Sequence, residues 1–143
     1  MALKIEVMSK AKAEEYAMNK HRDRAVVISI ASYTGAPAFI IPNNANNIID
    51  VLKLRFNDTD CSDGFSGGMI VEQGYKIKAF FNKYVMSVDK IIVHCEAGQS
   101  RSAGVAAALM KYYYNDDTPI FNNSRYTPNM RCYRITLNAL MNI

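Results

Sequence analysis

Lys90-Ile91-Ile92-Val93-His94-Cys95-Glu96-Ala97-Gly98-Gln99-Ser100-Arg101-Ser102-Ala103-Gly104-Val105-Ala106-Ala107-Ala108-Leu109-Met110 is the stretch on which the reading of this chain turns. Its first residues are an apolar, β-branched run, which predicts a strand buried on both faces. From Ser102 onward the side chains are small and apolar, which predicts a helix able to pack closely against a sheet. Between them, Cys95 to Arg101 forms a short loop leading from a strand into a helix N-terminus. Successive backbone N–H groups and the positive end of the helix make such a loop a cradle for an anion. Gly98 allows backbone geometry that a side chain would obstruct. The planar fork of Arg101 suits two oxygens of a phosphate, a geometry that lysine lacks.

The same electrostatics act on Cys95. A thiol at a helix N-terminus beside an arginine ionises more readily than a free cysteine, so Cys95 is expected to be a thiolate at neutral pH. A thiolate that attacks phosphorus forms a phosphocysteine and divides a hydrolysis into two steps. Ser102 is placed to donate a hydrogen bond to the sulfur and help it depart in the second step.

Working outward, Lys4 to Val7 alternates polar and apolar residues and predicts a short strand. Ser9 is a fitting cap for a helix through Ala11, Ala13, Glu14, Tyr16 and Met18. Ala25 to Ile30 is a second buried strand and Val51 to Phe56 another, followed by an acidic loop from Asn57 to Gly64. Tyr33 to Pro37 and Asn43 to Asn47 read as loops. Apolar residues at Ile70, Ile77, Phe80, Phe81 and Tyr84 predict a helix from Ser66 to about Tyr84, with Gly74 as its weak point. After turn signals at Asn115-Asp116-Asp117 and Pro119, Thr127 as cap and Pro128 at the first helical position predict a terminal amphipathic helix. Strands alternating with helices give the expected class: α/β, a single domain over residues 1–143, three α/β/α layers around a mostly parallel central sheet.

Composition narrows the function. The chain has 143 residues, 17 Lys and Arg against 13 Asp and Glu, and a net charge of +4. That balance suits an anionic substrate, but the cations are scattered rather than gathered into a stripe, so no nucleic-acid partner is expected. No apolar run approaches a membrane span and no signal peptide is seen, so a cytoplasmic protein with no membrane partner is expected. Cys61, Cys95 and Cys132 have no metal-ligand spacing, and neither a disulfide framework, a metal nor any other cofactor is expected. Cys132 reads as core, and Tyr112-Tyr113-Tyr114 as packing at a helix end.

The residues His94, Cys95, Arg101 and Ser102 resemble the signature of the protein tyrosine phosphatase superfamily: His-Cys, five residues, then Arg and Ser or Thr. The Ser100-Arg101-Ser102 ending and the short chain resemble its small dual-specificity branch, and Tyr126-Thr127-Pro128-Asn129 through Tyr133-Arg134 is similar to a bacterial or phage subgroup. The resemblance implies a phosphotyrosine protein phosphatase II-like fold and a phosphorylated protein or peptide as partner. It implies that Cys95 is the nucleophile, with Ser102 aiding the sulfur. Phosphate would be held by Glu96, Ala97, Gly98, Gln99, Ser100 and Arg101, with His94 orienting the loop. It also implies an aspartate acid on a separate loop upstream, for which Asp58, Asp60 and Asp63 compete. Asp58 is preferred because it follows the predicted strand directly, and Asp60 is second. A binding module that does not turn over, or a phosphatase for a non-protein ester, stands as the alternative.

Overall fold

In a computed structural model of the chain, which describes residues 2–34, 39, 46–61 and 63–143, the two most apolar strands lie at the centre of one four-stranded, all-parallel sheet. The elements are β1 (Lys4–Ser9), α1 (Lys10–Met18), β2 (Ala25–Ala31), β3 (Ile48–Arg55), α2 (Val71–Tyr84), β4 (Lys90–Cys95), α3 (Arg101–Tyr114), α4 (Thr118–Phe121) and α5 (Met130–Met141). The strand order is β1-β4-β2-β3. Parallel strands need crossover connections, and helices on both faces leave the inner strands with no wet side. Hence β2 and β4 are almost wholly buried, while the edge strands β1 and β3 carry exposed lysines.

The period of two divides each central strand between two cores. Val26, Ile28, Ile30, Ile91 and Val93 face α2, α3 and α5 with Ile77, Phe81, Leu109 and Leu140. On the other face Ala25, Val27 and Ile92 meet Ala13, Tyr16 and Ala17 of α1. These are the three expected layers. Cys132 is fully buried on α5. Tyr112 and Tyr113 pack edge-on against Phe81, and the Tyr114 hydroxyl donates to the Leu3 carbonyl.

Several boundaries differ from the sequence expectation: β3 begins at Ile48 rather than Val51, and α3 runs on to Tyr114 rather than ending at Met110. α2 begins at Val71 rather than Ser66, because Ser66 is held in a turn by Asp63 and Gly67 adopts a left-handed φ of 71°. α5 is capped by Asn129 rather than Thr127, its side-chain oxygen accepting from the Cys132 N–H at 3.0 Å. Pro119 sits inside the extra short helix α4, where only a turn was expected. Gly35 to Pro37 and Asn43 to Ala45, read as loops, lie outside the described residues, whereas Asn46 and Asn47 form a turn.

α3 and α5 touch closely because α3 carries Gly104. A Cβ there would lie 2.4 Å from the Asn129 carbonyl oxygen and 3.0 Å from Cys132 Cβ. Helix propensity alone favours alanine by about 1 kcal/mol, whereas forcing a methyl against backbone costs about 1–3 kcal/mol. The second effect wins at so short a distance. Gly104→Ala should lower stability in urea melts by about 1–2 kcal/mol; a stabilised variant would show that the two helices part freely.

Candidate active site

The carboxyl ends of the strands meet where a parallel sheet commonly binds its ligand. The register pairs Ser9 with Cys95, so β1 and β4 end level and the loop after β4 runs beside the start of α1. The Lys10 N–H donates to the Glu96 carbonyl at 3.1 Å. Gly98 has a φ of 70°, and a Cβ on it would stand 2.6 Å from the Ser9 nitrogen and 2.7 Å from the Met8 carbonyl carbon. Both conformation and space therefore demand glycine.

Cys95 is 2% exposed, with its Sγ 3.1 Å from Ser102 Oγ. Burial, the largest influence on this thiol, disfavours the charged form. It is outweighed by the Ser102 hydroxyl, the N–H groups of Ser102 and Gly98, and the Arg101 charge, so the Cys95 pKa lies below that of an ordinary thiol. His94 points to the α1 side, and its Nδ1 is 3.1 Å from the Cys95 carbonyl oxygen. Burial also lowers the His94 pKa, leaving the ring neutral at pH 7. A carbonyl can only accept, so Nδ1 carries the hydrogen. That bond ties the His94 ring to the backbone of Cys95.

Arg101, at the first turn of α3, is 7% exposed. One terminal nitrogen donates to Ser32 Oγ and to the Phe56 carbonyl, both at 3.0 Å. Its Nε is buried with no hydrogen-bond partner among the described residues. A cavity of about 230 Å³ beside it is lined by Ser29, Ser32, Thr34, Phe39, His94 and Arg101, among others.

The acidic loop reaches the same place through Asn57. Its N–H donates to the Gly67 carbonyl, its side-chain amide to the Ser66 carbonyl, and its side-chain oxygen accepts from the Tyr33 N–H. Asp58 follows, and its Oδ1 accepts from Ser100 Oγ at 2.8 Å. Of the three competing aspartates, Asp58 is therefore the one bonded to the Cys95–Arg101 loop. Asp63 instead caps its own turn through Phe65 and Ser66, and Asp60 shares a cavity of about 410 Å³ with Asp58 and Ser100.

Sequence reasoning missed Ser32, the Phe56 carbonyl and Asn129. Ser32 and Phe56 just follow β2 and β3, and only the sheet order brings them to Arg101. Asn129 donates its side-chain amide to Asp58 Oδ1 at 2.8 Å, and its N–H and that of Thr127 donate to the carbonyls of Ser100 and Gln99. The signal available was local: an asparagine after proline and before an apolar helix is a strong cap. Among the described residues, no group of three or more His, Cys, Asp or Glu is placed to hold a metal, and no helix is long and apolar enough to cross a membrane.

Known structures share this fold. Human DUSP28 superposes with a TM-score of 0.63 at 16% identity, over 96% of this chain and 92% of that one. The fold is that of the small dual-specificity phosphatases. Within the dual-specificity phosphatase fold, PTPMT1 in complex with PI(5)P gives a TM-score of 0.62 at 16% identity, over 97% of this chain and 91% of that one. Human tyrosine phosphatase-like serine/threonine/tyrosine-interacting protein gives 0.58 at 22% identity, over 80% and 74%. A family profile described as the Rit1 DUSP-like domain matches residues 69–139, which contain the Cys95–Arg101 loop and Asn129. No curated protein matches the chain by sequence.

The two buried cysteines should differ sharply in reactivity. Burial, with Asp58 adding to it, pushes the Cys132 thiol up to about 12. In a Cys61→Ser background, iodoacetamide should modify Cys95 with a midpoint below that of a free thiol and spare Cys132. Ser102→Ala should move the Cys95 midpoint upward, since it removes a donor to the thiolate. Equal modification of both cysteines would contradict this electrostatic account.

Proposed function

We propose that the chain hydrolyses phosphate monoesters on protein tyrosine, and also on serine and threonine, through a phosphocysteine on Cys95. The observation that carries this reading is the buried Nε of Arg101, without a hydrogen-bond partner among the described residues, beside a cysteine with a lowered pKa. One end of the guanidinium is fastened to protein, and a buried donor left without an acceptor is costly. A phosphate oxygen over the Cys95 loop would supply the acceptor, with the backbone N–H groups taking other oxygens.

In the first step Cys95 Sγ forms a bond to phosphorus, the bond from phosphorus to the leaving oxygen breaks, and Asp58 gives that oxygen its proton. In the second step water attacks phosphorus, the Asp58 carboxylate takes a proton from it, and the S–P bond breaks. The returning thiolate is stabilised by the Ser102 hydroxyl and Arg101. No cofactor is required, and one carboxyl serves both steps.

Charge speaks for the substrate. Among Glu96, Ala97, Gln99 and Ser100 there is no cation, and Glu96 is an exposed anion. Such a rim disfavours multiply phosphorylated small molecules relative to a singly phosphorylated side chain. PTPMT1, which has this fold, forms a complex with PI(5)P, and that makes a phosphorylated lipid headgroup the natural comparison.

The test is hydrolysis of an aryl phosphate and a phosphotyrosine peptide, with vanadate as inhibitor. Cys95→Ser should abolish turnover, and Asp58→Asn should lower kcat by about 10²–10⁴ with KM little changed. Activity surviving in Cys95→Ser would overturn the mechanism. Phosphopeptide binding by the wild type without turnover would replace it with a binding module, and undiminished kcat in Asp58→Asn would move the acid to Asp60 or Asp63.

A further inference from the structure

The carboxylate of Asp58 is held by one oxygen only. Oδ1 accepts from both Ser100 Oγ and Asn129 Nδ2, each at 2.8 Å, while Oδ2 has no hydrogen-bond partner among the described residues. The orientation of the Asn129 amide is fixed by its neighbours. Its oxygen must face the Cys132 N–H, which can only donate, and its nitrogen must face Asp58 and the Thr59 carbonyl at 3.2 Å, which accept. Asn129 is itself 8% exposed, and its backbone N–H donates to the Ser100 carbonyl at 3.0 Å. One residue thus joins the acid loop, the nucleophile loop and the first turn of α5.

We propose that Asn129 is the positioning residue for the proton-transfer step: with Ser100 it holds Asp58 Oδ1, so that Oδ2 is the oxygen that carries the proton. This rests on Asp58 being the acid. The two oxygens have unequal chemistry in this frame. A hydrogen on Oδ1 would face the Asn129 NH2, which can only donate, and would need the Ser100 hydroxyl to turn and accept, whereas Oδ1 as the carbonyl-like oxygen of the protonated acid, or as half of a carboxylate, accepts from both. The anchor therefore persists in both protonation states. Asp58 can give up its proton to a leaving group and regain one from water through Oδ2 without moving. Holding an acid in reactive geometry throughout a cycle removes an orientational cost that a swinging loop would meet at each step.

Asn129→Ser keeps a side-chain oxygen to cap α5 and loses the amide, so it separates positioning from helix stability. The readout is kcat across aryl phosphates of differing leaving-group basicity. A well-activated nitrophenyl ester needs little proton donation, and unsubstituted phenyl phosphate needs much. Asn129→Ser should lower kcat for phenyl phosphate by about tenfold or more, part of the 10²–10⁴ that a positioned acid contributes, and change the nitrophenyl ester far less. Ser100→Ala should show the same selectivity. Asn129→Asp, which sets a carboxylate against Asp58, should lose more than Asn129→Ser. In an Asp58→Asn background Asn129→Ser should add no further loss, since both act on one proton transfer.

An equal fall for every leaving group, or a fall that multiplies with that of Asp58→Asn, would show that Asn129 only braces the loop and would overturn the proposal. So would an unaffected Asn129→Ser beside a slowed Asp58→Asn. If Asp58→Asn itself retains full kcat, the acid assignment falls and the positioning role falls with it, an outcome distinct from the others. Circular-dichroism melts of each variant show that the comparison is among folded proteins.

Discussion

The buried guanidinium of Arg101 lies beside a buried thiol, and most of the architecture can be understood as what is needed to keep that cation out of water. A desolvated charge is tolerated only when it is paired and hydrogen-bonded. Arg101 receives this from the Phe56 carbonyl and the Ser32 hydroxyl at one end, and its positive charge in turn favours the thiolate of Cys95. Ser32 follows β2, Phe56 follows β3 and Cys95 ends β4, so three strands must finish at nearly the same level. The parallel registers of β2 with β3 and β4 produce that level. The two hydrophobic cores hold the registers in place, since a slip of one residue would exchange the faces of β2 and β4.

A second layer of fastening comes from the polypeptide that follows. Thr127 and Asn129 donate to the carbonyls of Gln99 and Ser100, and α5 lies against α3 at Gly104. The acid loop is fixed from both sides, by Asn57 at its base and by Ser100 and Asn129 at Asp58. Loops ordinarily carry function at the cost of mobility. Here the loop bearing the proposed acid is tied to the loop bearing the proposed nucleophile by a direct hydrogen bond from Ser100 to Asp58.

What could be read from the sequence was what depends on neighbours along the chain. β2 and β4 announced themselves through runs rich in β-branched residues, and the Cys95 to Ser102 loop through residue types whose chemistry is local to it. The start of α2 was misplaced because Met69 and Ile70 continue the apolar pattern backward. Yet Met69 is buried by packing ahead of the helix, and Gly67 and Asp63 have already committed the chain to a turn. The role of Asn129 at Asp58 was not legible for another reason. Its contact with Asp58 spans 71 positions, and those of Arg101 with Ser32 and Phe56 span 69 and 45. No period or cap signal reports on such pairs; the sheet order creates them.

With the Cys95–Arg101 loop as the proposed anion site, the clamp of Thr127 and Asn129 on Gln99 and Ser100 would couple its occupancy to the docking of α5. A ligand that binds only the ordered loop stabilises everything whose opening would disorder it. The backbone of α5, some distance along the chain from any phosphate, is therefore coupled to occupancy of the loop. In energetic terms α5 then belongs with the Cys95–Arg101 loop, and fraying of its first turn would loosen that loop.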